Sequence, residues 1–443
     1  MIFMFGKKTK SEFDDTSRVL MCNIKNGSAN FHASKRLTQI TRRLSNRANF
    51  IMRKDLFTDR KPNQSKVDKL LKQGKLNVLD KDLYRRLPAA ISQRTIQIVG
   101  DNWRSFAAAK ADWKKNPDKY LEMPRPPKYV KWAKTVYIPC SSFRIENNKI
   151  IFAKNLNLDP VSLEKGKFTD QKFNPKASEK VVNEIRIVPT GSGFRFEIVY
   201  DKHKLNQSKL LSDNTRSVLL DKSSFLSLDL GLNRFAALVS NKAGFVPLLI
   251  NGGELKRINQ WYNKRCAELR SLGKHKHIAA VSAKRNRRIK DKLHRFSRYI
   301  VNLCLKEDIG TVIVGKNKLW KQDINIGKRN NQNFVNLPHA MFISILSYKL
   351  REIGVRIIEQ EESYTSKASF VDNDEIPTFD KNEPNKKYEF SGKRYKRGLY
   401  RTKEGLIIHA DINGSGNISR KAGYEGANLV SGGVVFTPIL IGI

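Results

Sequence analysis

The chain has 443 residues, a length that predicts two or three domains, and its 40% hydrophobic residues are enough to build their cores. Its 84 Lys and Arg against 42 Asp and Glu leave a net charge of +42, which repels itself unless a polyanion neutralises it. Nucleic acid is the expected polyanion, because each phosphate contact releases counterions; a membrane partner would need a basic amphipathic segment or a span of roughly 20 apolar residues, and neither is found.

In chain order, residues 1–5 are apolar but lack the charged-then-apolar order of a signal peptide. Residues 18–31 read as β-rich, beginning at Val19-Leu20-Met21-Cys22. Residues 34–124 read as helical. The last strong helix covers 88–113, with Ile91, Thr95, Ile98, Trp103 and Phe106 as packing positions. Pro124-Arg125-Pro126-Pro127 ends it and makes a stiff linker. Residues 130–220 are β-rich again, and 194–200 alternate, with Phe194, Phe196, Ile198 and Tyr200 on one face. The expectation is a β-barrel-like, wedge-like nucleic-acid-binding domain from 1–33 and 125–222, interrupted by a helical recognition insert over 34–124.

A different pattern begins near residue 225. Phe225-Leu226-Ser227-Leu228-Asp229-Leu230-Gly231 is a predicted strand that stops at a glycine, and 235–240 and 246–250 are two more. Helices are predicted over 254–272 and 282–306. The second packs Ile289, Leu293, Phe296, Ile300 and Leu303 on one side and shows Lys284, Arg287, Arg288, Arg295 and Arg298 on the other. That basic face is either a solvated surface or a phosphate contact. Strand 311–315, helix 338–353 and strand 355–360 follow, and Asp411 opens a last helix. Three strands followed by strands alternating with helices is the order of a ribonuclease-H-like sheet, within an overall α/β and α+β multidomain chain. The apolar segment 432–441 is short and broken by Pro438.

Nucleases of the two-metal kind need carboxylates from distant strand ends and helix starts to converge, with hard oxygen ligands that suit Mg²⁺ or Mn²⁺. Asp229 shares a strand face with Ser227, opposite Leu226, Leu228 and Leu230. It is either a metal ligand or an aspartate that closes the strand. Asp411, in His409-Ala410-Asp411-Ile412-Asn413-Gly414, is either a ligand or a helix N-cap. Cys22, Cys140, Cys266 and Cys304 form no CxxC pair, so neither a disulfide framework nor a cysteine zinc site is expected. No GxxxxGK[ST] loop supports an ATPase.

Taken together, these segments resemble the TnpB (OrfB) family of insertion-sequence proteins, related to the type V CRISPR effectors. The segments that carry the resemblance include Ser227-Leu228-Asp229-Leu230-Gly231-Leu232-Asn233, Ile258-Asn259-Gln260-Trp261-Tyr262-Asn263-Lys264-Arg265 and Gly327-Lys328-Arg329-Asn330-Asn331-Gln332-Asn333-Phe334-Val335. They continue with Glu361-Glu362-Ser363-Tyr364-Thr365-Ser366-Lys367, Gly392-Lys393-Arg394 and Ala410-Asp411-Ile412-Asn413-Gly414. The resemblance implies a RuvC-like nuclease domain over 223–443, with a basic insert at 364–409, and makes Asp229 and Asp411 expected metal ligands. It implies a guide RNA and a double-stranded DNA target as partners and cleavage by metal-activated water; one nuclease centre per chain predicts a monomer with its RNA, and the scattered cysteines fit a location in the reducing cytoplasm, associated with the nucleoid. The candidate nucleic-acid contacts are Arg285, Arg288, Trp320, Arg329, Lys393, Arg394 and Arg397.

The chain departs from the family pattern twice. The family's middle acid ends the strand equivalent to 311–314, where this chain has Gly315. Either the site is inactive, leaving a guided DNA-binding or simple RNA-binding protein, or an acid arrives from strand 355–360, which runs into Glu361-Glu362. Glu361 is the favoured replacement and Glu362 the next, since adjacent residues at a strand end face opposite ways. The family's four-cysteine zinc module also has no counterpart, because 364–410 contains no cysteine. No zinc is expected, and the insert is expected to be held by packing of Phe370, Phe379, Tyr388, Phe390 and Tyr395.

Overall fold

The computed structural model describes residues 17–57, 63–163, 168, 170–171, 180–202, 204, 220–231, 233–316, 338–379, 386–396, 398–425 and 438–443. The chain divides into two compact units, Met1–Asp213 and Asn214–Ile443.

In the first unit, strand β1 (Ser17–Asn23) ends before a turn in which Gly27 takes φ 78°. Ser28 then caps the next helix, its Oγ accepting from the Phe31 amide at 3.2 Å. The helix therefore begins two residues before residue 31, the expected end of the β-rich stretch. Four helices follow, α1 (Ala29–Phe57), α2 (Gln64–Gln73), α3 (Val78–Arg85) and α4 (Ala89–Lys115). Six strands complete the unit: β2 (Val136–Pro139), β3 (Phe143–Glu146), β4 (Lys149–Phe152), β5 (Val161–Ser162), β6 (Val182–Thr190) and β7 (Gly193–Asp201). They form two antiparallel sheets, β1-β7-β6-β2 and β3-β4-β5. Among the described residues neither sheet closes on itself. One core joins helices to sheets: Leu37, Leu44, Ile91 and Ile96 pack with Val136, Ile138, Ile185 and Phe196.

The second unit opens with β8 (Phe225–Leu230), β9 (Arg234–Ser240) and β10 (Leu248–Asn251). Helices α5 (Gly253–Ser271) and α6 (His275–Lys306) lead to β11 (Thr311–Gly315), then α7 (His339–Glu352) and β12 (Arg356–Gln360). A small sheet, β13 (Lys393–Lys396), β14 (Leu399–Arg401) and β15 (Ile407–His409), precedes α8 (Ala410–Lys421), and β16 (Ile439–Ile441) comes last. The main sheet has the order β12-β11-β8-β9-β10-β16. Strands β8, β9 and β10 are antiparallel neighbours, while β11 runs parallel to β8 and β12 parallel to β11. This is the ribonuclease-H-like order. The apolar tail adds a parallel edge strand beside β10, a role its interrupting proline did not announce.

Each face of the sheet has its own cover. Leu226, Leu228 and Leu230 join Phe235, Leu293, Phe296, Ile300 and Leu346, so α6 and α7 close that side. On the other side Phe225 and Ile313 meet Ile418 of α8. Ala237 and Val239 meet Phe370, Tyr400 and Ile412 on the same side. A fully apolar first face and a second face that accepts polar groups put Asp229 on the side of α8.

Candidate active site

Asp229 lies one residue past the β8–β11 pair Leu228↔Val314, which puts it level with Gly315. Gly315 in turn pairs with Gln360 on β12. The ends of three parallel strands therefore meet in one row. A β-carbon placed on Gly315 would overlap the Glu362 Oε2 and come within 2.6 Å of the Ile418 Cδ1. The Glu362 carboxyl thus fills the space in which a side chain at 315 would start. Glycine here leaves room for a carboxyl from the turn that follows β12.

Glu361 faces elsewhere. Its Oε2 accepts from the Lys421 Nζ at 2.5 Å, and its Oε1 accepts from the Ser363 amide at 2.7 Å. Lys421 is itself buried and also donates to the Ser363 and Pro377 carbonyls at 3.0 and 2.9 Å. Of the adjacent glutamates, then, the structure turns the one favoured from sequence into an anchor and directs the other toward Asp229.

The sequence of α8 explains how the row is held. Gly414 is needed because a β-carbon there would sit 2.6 Å from the Asp229 Oδ2, and Gly416 because one there would meet the Phe370 ring at 2.6 Å. Ser415 and Ser227 exchange bonds, each hydroxyl donating to the other's carbonyl at 2.9 and 2.6 Å. Asn413 accepts from the Phe370 amide at 2.9 Å and donates to the Ala368 carbonyl at 2.8 Å. Asn417 donates to the Thr365 and Ala368 carbonyls at 2.9 and 2.7 Å. Thr365 closes the chain of contacts, donating through its Oγ1 to the Glu362 carbonyl at 2.8 Å. Buried amides that satisfy buried carbonyls fix a loop without regular structure. The Asn-Gly-Ser-Gly-Asn run is thus the clamp for the loop that carries Glu362, a role invisible until the two segments are brought together.

Asp411 lies in the first turn of α8, where the His409 Nδ1 accepts from its amide at 3.3 Å. The N-cap is therefore His409, not Asp411, which leaves the aspartate side chain available. Burial, then the negative field of Asp411, raise Asp229 to about 7 against an ordinary 3.8, opposed by Arg394. Burial, then Asp229 and Glu361, raise Glu362 to about 8 against 4.5, opposed by Lys421. Burial also works against ionised Glu361, but the hydrogen bonds from Lys421 and Ser363 outweigh it and hold that carboxyl below its usual range. Burial lowers His409, partly countered by Asp411.

These shifts test whether a metal suits the residues present. Among the described residues, no group of three or more His, Cys, Asp or Glu is placed so that it could hold a metal ion. The acids form an electrostatically coupled row instead, in which Glu362 feels Asp229 and Asp229 feels Asp411. Hard oxygens of half-buried, mutually repelling carboxylates suit a divalent cation, which would relieve the desolvation and the repulsion together.

The insert after Thr365 is held largely by two aspartates that the sequence reading passed over. The Asp372 Oδ2 accepts from the Ser369 Oγ at 2.6 Å, the Ser391 Oγ at 3.0 Å and the Lys403 amide at 2.9 Å. Asp374 accepts from the Ser369 and Ser391 amides at 2.7 and 3.1 Å. They join the 369–374 segment to Ser391 and Lys403. Of the expected packing residues, Phe370 is buried and Tyr388 and Phe390 flank the Tyr364 ring, whereas Phe379 and Tyr395 are exposed.

Among the expected nucleic-acid contacts, Lys393 and Arg394 are exposed on β13, and Arg288 is exposed on α6. Arg394 is also near enough to act on both Asp229 and His409. Arg285 is half-buried between helices, donating to the Asn259 Oδ1 at 2.9 and 2.7 Å and lying over the Tyr262 ring. Trp320, Arg329 and Arg397, with the whole 327–335 motif, lie outside the described residues. No helix among the described residues is long and apolar enough to cross a membrane.

Residues 213–321 match the family model described as a probable transposase of the OrfB type, and residues 339–418 match that of the Cas12f1-like TNB domain. Along 88% of its length the chain is 21% identical to the TnpB-like protein ORF457 of Acidianus two-tailed virus, covering 83% of that protein. The chain is thus similar to the TnpB (OrfB) family and its Cas12f1-like relatives. It is also 26% identical to the CRISPR-associated endodeoxyribonuclease Cas12f1 of Sulfoacidibacillus thermotolerans, over 50% of its own length and 52% of that relative's. Among solved structures it is similar to a Cas12f1–sgRNA–target DNA complex, with 16% identity, 92% of this chain and 99% of that one covered, and a TM-score of 0.35.

Proposed function

We propose that the chain is an RNA-guided DNA endonuclease with a RuvC-like centre formed by Asp229, Glu362 and Asp411. The observation that carries this reading is the Glu362 carboxyl in front of Gly315, level with Asp229. The acid absent from β11 is replaced from β12, and the replacement is coupled to Asp229. Asp229, Glu362 and Asp411 would hold Mg²⁺ or Mn²⁺, which when bound supplies an activated water and a counter-charge for the leaving oxygen. Arg394 brings a positive charge from the insert to the edge of the same site. Lys421 and Glu361 hold the turn that presents Glu362.

The partners under this reading are a guide RNA and a double-stranded DNA target, recognised by pairing beside a short motif that the protein reads. One acidic centre per chain fits a monomer with its RNA, and no zinc is required.

A second reading, guided binding without cutting, draws on the lack, among the described residues, of any group of three His, Cys, Asp or Glu placed to hold a metal ion. One experiment separates them. The protein is purified with co-expressed RNA and incubated with a guide-matched plasmid in Mg²⁺. Cutting that requires the matched guide supports the first reading. Binding without cutting removes it in favour of the second, and the absence of guide-dependent DNA affinity removes both.

A further inference from the structure

Among the described residues, six other than glycine have a positive φ. Five of them are Asn147, Asn148, Asn157, Asp308 and Asn373, whose short polar side chains tolerate the left-handed region. The sixth is Tyr364, at φ 64°, a bulky residue for which that backbone is strained. It stands at the third position of the turn that begins with Glu362, closed where the Thr365 amide donates to the Glu362 carbonyl at 3.3 Å. Turns that need a positive φ at this position ordinarily take glycine or asparagine there. Here the contacts of the tyrosine ring offset what the backbone loses. Tyr388 meets the ring edge-on, with centroids 5.0 Å apart, and Phe390 lies tilted against it at 6.3 Å. The Lys367 ammonium sits 5.7 Å from its centroid.

The two sides of this contact come from segments remote in the chain. Tyr364 belongs to the loop that carries Glu362, whereas Tyr388 and Phe390 belong to the insert. On one side of the turn Glu361 is anchored by Lys421, and on the other the Thr365 carbonyl accepts from Asn417. With both flanks fixed, the backbone at Tyr364 decides the path between them, and with it the direction of the Glu362 carboxyl. A relaxation to an ordinary negative φ would redirect that path. We propose that Tyr364 is a positioning residue for Glu362: gripped by Tyr388 and Phe390, it holds the turn in the left-handed form that aims the acid at Asp229, and so makes the site depend on docking of the insert. The role in cleavage rests on the functional reading above; the aromatic grip on the turn rests on the backbone and ring geometry.

The test uses the full chain with its co-expressed RNA and compares three variants. Tyr364→Asn accepts the left-handed backbone but removes the ring. Tyr388→Ala/Phe390→Ala keeps Tyr364 and removes the grip. Tyr364→Phe keeps the ring and loses only the hydroxyl. Hydrogen exchange of the amides at 363–368 is followed in EDTA, so that neither metal nor cleavage enters. It is expected to speed up by roughly tenfold or more in the first two variants and to stay at the wild-type rate in the third. Single-turnover cleavage of guide-matched DNA in Mg²⁺ is expected to fall at least roughly tenfold in the same two variants, with DNA affinity unchanged and the phenylalanine variant as active as wild type. Unchanged exchange in the first two variants overturns the grip, whatever the cleavage rates. Faster exchange with wild-type cleavage overturns the positioning role. A wild type that binds guide-matched DNA without cutting it overturns the functional reading and the role in cleavage with it, while the exchange rates decide the grip separately.

Discussion

Replacing Asp229 with asparagine tests the acidic row through its stability as well as its activity. In the fold Asp229 titrates at about 7, against an ordinary 3.8, because burial and then Asp411 disfavour its charge. A folded-state value above the unfolded one means that the fold binds the extra proton between about pH 4 and 7. Stability without metal is therefore lost as pH rises through that window. At 1.36 kcal/mol per pKa unit the loss reaches roughly 4 kcal/mol by neutral pH, as an upper figure for a carboxyl coupled to its neighbours. Asp229→Asn keeps the shape and removes the charge. In EDTA at pH 8 it is expected to be more stable than wild type by up to that amount, raising the melting temperature of the second unit by several degrees. It is also expected to lose cleavage and much of the stabilisation that Mg²⁺ gives the wild type. Thermal melts across pH 5–8, with and without Mg²⁺, provide the assay. An asparagine variant less stable than wild type at pH 8 and equally stabilised by Mg²⁺ would refute the argument that Asp229 is a strained metal ligand.

The other expectations concern the neighbours that set the row. Glu362→Gln should abolish cleavage of a guide-matched plasmid while leaving DNA affinity intact, whereas Glu361→Gln should retain measurable activity and lower stability by roughly 1–3 kcal/mol, because Lys421 loses a charged partner in a buried position; the opposite ranking in single-turnover assays would return the catalytic role to Glu361. Gly414→Ala should leave stability nearly unchanged, since alanine is the better helix former by about 1 kcal/mol, yet displace the Asp229 carboxyl and slow cleavage at least roughly tenfold. Asn417→Ala removes donors to two buried carbonyls and should cost roughly 1–3 kcal/mol in denaturant melts, with cleavage falling more than DNA affinity because the loop that carries Glu362 loosens.

Much of the second unit was legible in the residues. The alternation that sets Leu226, Leu228 and Leu230 against Ser227 and Asp229 correctly divides the two sheet faces, because a strand has a period of two and one face here is wholly apolar. Helices α6 and α7 follow from their periodic apolar positions, although α6 begins seven residues earlier than the 282 expected, in a basic stretch whose helicity hydrophobic spacing cannot report. The first unit was less legible: a capping serine decides where β1 gives way to helix, and strand pairing decides that its two sheets stay open.

By itself the sequence determined that the chain carries a large excess of positive charge, that Asp229 ends a half-polar strand face and Asp411 begins a helix, and that the insert holds no cysteine. These properties reside in composition, period and residue chemistry. Which glutamate carboxyl lies over Gly315, what holds the insert together, and why a side chain at 414 would crowd Asp229 were decided only by the tertiary structure. Each depends on atoms remote in the chain meeting at a few ångströms: Glu362 over Gly315, Asp372 with Ser391 and Lys403, and Asp229 against α8. The alternation rule correctly separated Glu361 from Glu362, but which of them faces Asp229 depended on where Lys421, sixty residues away, completed its hydrogen bonds.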